Sequence, residues 1–143
     1  MRNLVLTSAL IASLALLAVG SASSSLAPAS STAVTIDSVL TSPSSGLATA
    51  TFVATLPLCP AGTMLSTTDA KSGQTTQTFT CADGSGTFTL KLQDHAKKMT
   101  WSIASGTGSY ANSRGSGIWV GEVLSTGDPA IVHYSYVGKV ASG

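Results

Sequence analysis

The chain has 143 residues, which is enough for one domain and too few for two of ordinary size. Charged residues make up only 9% of it, with seven lysines and arginines against six aspartates and glutamates. Nucleic-acid binding depends on a clustered basic surface, so this balance excludes nucleic acid as an expected partner. Apolar residues make up 43% of the chain, which argues against disorder over most of its length.

The N-terminal residues have the composition of a secretory signal peptide. Arg2 supplies a positive charge, residues 4–19 form an apolar segment, and small residues follow at 20–22 and 27–29. Because a membrane span needs about 20 apolar residues, this segment favours a cleaved signal over the alternative, a retained anchor. We predict a signal helix in residues 1–22, cleaved there or as late as residue 29, and then a flexible Ser/Ala-rich arm in 23–33. The mature protein is expected to be secreted, with no further membrane association.

Cys59 and Cys81 are the only cysteines in the chain. In an exported protein an even pair most often forms a disulfide, which here closes a loop of 23 residues. The alternative is a zinc site completed by His95 and His133, although none of the short paired spacings typical of zinc sites is present. We predict the disulfide, and we expect neither a metal nor another cofactor.

Most of the remaining chain alternates polar and apolar residues with the two-residue period of β-strands. Strands are predicted over residues 34–40, 47–56, 74–81, 86–93, 99–104, 117–124 and 131–140. Residues 61–73 are mostly small and polar, so they are predicted to form a surface loop. Turn residues recur every 8 to 12 residues, and no helical period follows the signal segment. The pattern predicts an all-β domain over residues 34–143, either an antiparallel sandwich or a barrel.

A glycine-rich segment follows the fifth predicted strand. Its sequence GTGSYA, at residues 106–111, matches the dinucleotide-binding fingerprint G-x-G-x-x-A. A pyrophosphate site also requires a helix to begin there, and the next residues have no helical period. We therefore predict a structural turn that depends on Gly106, Gly108, Gly115 and Gly117, with a positive φ at one of them at least.

The region around this turn resembles a known group of β-barrels. Residues 101–117, WSIASGTGSYANSRGSG, are similar to the signature region of the allene oxide cyclase-like and dirigent-like proteins, most of all their small exported bacterial members without an assigned activity. CPAGT at 59–63, CADGSGTF at 81–88 and YVGKV at 136–140 also resemble these proteins, so the resemblance extends over roughly residues 59–140.

The resemblance implies a single antiparallel barrel of about eight strands with an apolar interior, in families that often form trimers. The plant cyclases act on an unsaturated fatty-acid epoxide, and dirigent proteins steer the coupling of phenoxy radicals. Both hold a reactive ligand inside the barrel without a metal or organic cofactor. A closed barrel also agrees with physical expectation, because closure removes strand edges and eight strands can enclose one small ligand.

Large apolar side chains on neighbouring predicted strands share one face, and they are candidates for lining a pocket. The candidates are Phe88, Leu90, Leu92, Trp101, Ile103 and Trp119. Aromatic groups in a concave site favour small, flat apolar ligands. The alternative is that these residues only fill the core that a domain of this size needs for stability.

Four polar residues are candidates for the same pocket: Tyr110, Arg114, Glu122 and His133. Glu122, Arg114 or Tyr110 near a cavity mouth would serve a cofactor-free isomerase or a dirigent-like stereochemical guide. No G-x-S-x-G nucleophile elbow is present, and no catalytic residue is predicted. The function therefore stays open between a structural or surface-interaction role, binding of a small apolar or aromatic ligand, and such an enzyme, which is the least favoured.

The predicted strand over residues 117–124 is apolar on both faces. Trp119 and Val123 lie on one face, and Ile118, Val120 and Leu124 lie on the other. A barrel needs only its inner face to be apolar, so the outer face is expected to be covered by a second protomer or by the N-terminal arm. We predict a homo-oligomer, a trimer by resemblance.

Overall fold

The computed structural model describes residues 30–43, 47–95 and 98–143. In these residues eight antiparallel strands form a closed barrel, in which each strand pairs with the next and the last pairs with the first. The strands are β1 (Ser31–Ser42), β2 (Ala48–Ala54), β3 (Ala61–Thr68), β4 (Thr75–Cys81), β5 (Thr87–His95), β6 (Lys98–Gly106), β7 (Arg114–Ser125) and β8 (Ala130–Ala141). The predicted all-β antiparallel barrel of eight strands is confirmed.

The N-terminal predictions fall mostly outside the described part of the chain. The signal helix and residues 23–29 of the arm lie there, whereas β1 begins at Ser31, before the predicted domain start at residue 34. Residues Ser31–Ala33 pair with the end of β8. No helix among the described residues is both long enough and apolar enough to cross a membrane.

The prediction of a surface loop over residues 61–73 is wrong in its first part, where β3 lies. Ala61–Thr68 pairs with β2 on one side and with β4 on the other. Met64 is the one large inward side chain of this strand and is buried. Gly62 has to be small, because a Cβ there would lie 2.7 Å from Cε1 of Phe52. The apolar alternation of β3 is weak for this reason.

Aromatic rings fill the centre of the barrel. The rings of Phe79 and Phe88 are stacked with centroids 4.8 Å apart, and Phe52 meets Phe79 edge-on at 5.0 Å. Tyr136 approaches Phe79 from the opposite wall, with centroids 6.0 Å apart. Such edge-on and stacked pairs stabilise a core beyond the area that they bury.

One end of the barrel is closed by side chains from its connections. Leu58 and Cys59, between β2 and β3, are both buried, and Cys59 is disulfide-bonded to Cys81 at the end of β4. Tyr110, from a single 3₁₀ turn at Gly108–Tyr110, is buried against Phe88 with ring centroids 5.5 Å apart. The predicted disulfide is present, and it joins two of the segments that cover this end.

Two glycines on neighbouring, paired strands make room for Trp101. Gly117 of β7 and Gly138 of β8 are register partners, and the indole lies over both. A Cβ at Gly117 would lie 2.8 Å from the indole nitrogen, and a Cβ at Gly138 would overlap Cζ2. The indole N–H donates a 3.0 Å hydrogen bond to the carbonyl oxygen of Ile118. Gly115 and Gly117 thus lie within a strand, and the turn proper contains Gly108, which has a φ of +56°.

We expect Gly108→Ala to destabilise the protein more than Gly73→Ala does. Both glycines have a positive φ, +56° and +68°, in which alanine costs about 1 kcal/mol. A Cβ at Gly108 would in addition overlap the carbonyl oxygen of Ser85, whereas one at Gly73 would meet nothing within 4 Å. Urea unfolding should give a loss of more than about 2 kcal/mol for Gly108→Ala. Equal losses in the two variants would contradict the close approach at Gly108.

Candidate functional site

The pocket candidates from the sequence share the inner face of the barrel, but they belong to its packed core. Phe88, Leu90, Leu92 and Trp101 are buried, and Phe88 has other rings on several sides. Ile103 and Trp119 are partly buried and pack against the same core. These contacts favour the alternative reading, in which the side chains fill the interior.

A polar cluster within the core was not anticipated from the sequence. Gln77 on β4 is fully buried and accepts a hydrogen bond from the Tyr136 hydroxyl across the barrel. Burial raises the pKa of Tyr136 well above its ordinary value, and it also raises the pKa of Tyr134. Trp119 packs on Tyr134 with ring centroids 5.6 Å apart. Gln77 has the same parity as Phe79 along β4, and this shared inward parity was the signal available in the sequence.

The four polar candidates do not come together. Tyr110 lies at the closed end, where its hydroxyl is 3.3 Å from Oγ of Ser85. The other three, Arg114, Glu122 and His133, lie on the outer wall and not in the interior. The glycines of β7 show which of its two faces points into the barrel. Gly117 and Gly121 lie beside bulky rings of the interior, so the face that contains them is the inner one. Glu122 has the opposite parity and is exposed.

A groove of about 610 Å³ lies on the outer wall of β1 to β4. Its apolar side chains include Val39, Val53, Ala61 and Ala82, of which Val53 is 59% exposed. Threonine side chains border the apolar surface, and His133 of β8 completes the edge of the groove beside Asp37. Concave sites of this volume with mostly apolar walls and few polar groups are typical of small-molecule binding.

Three side chains meet at that edge because β1 and β8 pair in a fixed register. Asp37 and Ser135 are direct partners, and the Ser135 hydroxyl donates a hydrogen bond to Oδ1 of Asp37. Nε2 of His133 lies 3.4 Å from the same oxygen, in a pair that is partly exposed. Of these residues only His133 was a candidate from the sequence. Asp37 and Ser135 are 98 positions apart in the chain, so no local pattern links them.

The hydrogen-bond pattern of these three side chains does not favour nucleophilic catalysis. A catalytic serine needs a base such as imidazole to accept its proton. Here Ser135 donates to the carboxylate of Asp37, which also lies beside His133. The arrangement holds the carboxylate in place and leaves the serine without an activating base. Among the described residues there is also no group of three His, Cys, Asp or Glu side chains that could hold a metal ion.

In comparisons with known proteins, no family model, curated protein or solved structure matches the chain significantly. The likeness to the allene oxide cyclase-like and dirigent-like barrels therefore stays a prediction from short glycine-rich motifs. The barrel itself does not depend on that likeness, since strand order and register define it.

Proposed function

We propose that this chain is an exported binding protein, that its ligand site is the outer groove on β1 to β4, and that its interior is a structural core. The observation that carries the proposal is the contrast between these two places. Stacked and edge-on rings occupy the barrel centre, while the outer wall has an open apolar groove of about 610 Å³. A small apolar or aromatic ligand would bury exposed valine surface there.

Export is supported by two independent features. The N-terminal residues have a signal-like composition, and the disulfide between Cys59 and Cys81 is of the kind that persists in oxidising compartments. Secretion is the localisation that fits both.

The alternative enzyme, a cofactor-free isomerase or dirigent-like guide, has less support. It was expected to use Glu122, Arg114 or Tyr110 around one cavity, and these side chains lie apart, with Tyr110 buried at the closed end and the other two exposed on β7. Catalytic groups need a shared position around the reacting atoms. Binding without catalysis is therefore the function that we propose.

The outer face of β7 and β8 supports the predicted homo-oligomer, a trimer by resemblance. Ile118 and Val137 are register partners, and Val120 lies on the same face. These side chains are about half exposed in the single chain. Covering them with a second copy would remove this apolar surface from water.

Nile red, an uncharged apolar dye, tests the groove by its fluorescence increase on binding. We expect saturable binding at one site per chain. Val53→Asn should weaken it about fivefold, since roughly half of a valine side chain loses its apolar contact. Val123→Asn is the matched control, because Val123 is exposed to a similar degree, 60% against 59%, but lies outside the groove. Its affinity should equal that of the parent.

Two outcomes would contradict the proposed function. One is an equal loss of Nile red affinity in Val53→Asn and Val123→Asn, which would mean general surface adsorption. The other is the absence of saturable binding in a folded parent protein, as judged by circular dichroism.

A further inference from the structure

We propose that the outer groove takes amphipathic amines, with the apolar body on its valine and alanine surface and the ammonium group paired with Asp37. The inference rests on the proposed use of the groove as a binding site and adds the chemical class of the ligand. It is carried by how the carboxylate is held, by the charges around it and by the apolar surface next to it.

The Asp37 carboxylate is held in position while one of its oxygens stays available. Ser135 donates to Oδ1, and Nε2 of His133 lies beside the same atom. Among the described residues no group is hydrogen-bonded to Oδ2, and the side chain is 47% exposed. A carboxylate offers about four acceptor positions, so a ligand donor can be added without displacing either neighbour. An acceptor that is already ordered loses less entropy on binding.

The charges around the groove favour a cation. Its described lining contains no lysine or arginine, and Asp37 is its one carboxylate. A fatty acid would place its negative charge beside Asp37, which is repulsive. An ammonium group has three donors and no acceptor, and a bond between two ionised groups is stronger than one between neutral groups.

The apolar surface begins directly beside the proposed ammonium site. Asp37 and Val53 are register partners on β1 and β2, and both face outward into the groove. Val39 follows two residues after Asp37 on the same face, and Ala61 is the partner of Val53 on β3. A linear apolar chain attached to the ammonium group can therefore lie across three neighbouring strands.

Displacement of bound Nile red by 1-aminooctane, 1-octanol and octanoate at pH 7.5 and low ionic strength tests the ligand class. These competitors share one chain length and differ in the charge of the head group. We expect 1-aminooctane to bind about tenfold more tightly than 1-octanol, and octanoate to bind most weakly. Asp37→Asn should bring the amine and the alcohol within twofold of each other and leave the affinity for the alcohol unchanged.

Two further variants separate charge from fold. Glu122→Gln removes a nearby carboxylate that does not line the groove, so the preference for the amine should persist. Thr51→Lys places a competing ammonium group on the exposed groove wall, so it should reduce the preference even if Asp37→Asn fails to fold. Salt should also reduce the preference, because the site is partly exposed.

The outcomes distinguish the amine assignment from the proposed function of the groove, on which it rests. A tenfold preference that survives in both Asp37→Asn and Thr51→Lys overturns the amine assignment, and the groove stays a binding site. A parent protein that binds the amine and the alcohol equally overturns it as well. If Val53→Asn changes the affinity for neither the amine nor the alcohol, the groove itself is not the site and the proposed function fails.

Discussion

Replacement of Trp101 by alanine is expected to lower the free energy of unfolding by about 4 kcal/mol, among the largest single losses in this protein. The indole is 1% exposed, its N–H bonds to the Ile118 carbonyl, and it lies against the backbone at Gly117 and Gly138. Truncation would leave a large cavity that the rigid strands cannot close. Urea unfolding followed by circular dichroism measures the loss.

Trp119→Ala is the matched control for this prediction. Trp119 also faces inward, but it is only partly buried, and among the described residues its indole N–H has no acceptor. Its removal breaks no such bond, and we expect a loss of about 2 kcal/mol. Similar losses in the two variants would contradict the described packing of Trp101. A Trp101→Ala protein that folds with parental stability and no longer binds Nile red would instead place the ligand inside the barrel.

Loss of the disulfide is expected to destabilise the protein by about 3 kcal/mol. Cys59 and Cys81 are both buried, and they close a loop of 23 residues that contains β3. The double variant Cys59→Ala/Cys81→Ala removes the bond without burying a hydroxyl group. Its urea midpoint, compared with that of the oxidised parent, measures the effect.

A reducing agent provides the control for the disulfide. It should shift the urea midpoint of the parent towards that of the double variant and leave the double variant unchanged. Thiol alkylation of freshly purified protein without prior reduction should add no label. Two labelled thiols would contradict the prediction, and so would a urea midpoint of the parent that the reductant does not change.

Strands were predictable where inward positions are large and outward positions are polar. In β5, Phe88, Leu90 and Leu92 alternate with threonine and lysine, and the predicted strand lies close to the observed one. β3 was missed because its inward residues are Gly62, Met64 and Ser66, two of them small. Small inward side chains there accommodate the large ones of neighbouring strands, and a single strand's pattern does not contain that information.

The candidate site was less predictable than the fold for a physical reason. Asp37 and Ser135 come into contact only when the first strand pairs with the last, and a sequence pattern describes single strands. β7 is apolar on both faces, so its parity could not be assigned from hydropathy. Packing assigns the inner face of β7, since Gly117 has to lie on that face to leave room for the Trp101 ring. Glu122 therefore faces outward, although it was a candidate for the interior.

The ladder between β1 and β8 has a consequence for how the chain reaches its native state. All twelve residues of β1 have a partner in β8, about 100 positions away in sequence. Until β8 has emerged from the ribosome, β1 has no partner on one side and the sheet has two open edges. Such edges recruit other strands, so an incomplete chain is exposed to aggregation. The long-range closure also makes folding slow relative to a helical protein of equal size, which would suit the proposed export of the chain in an unfolded state.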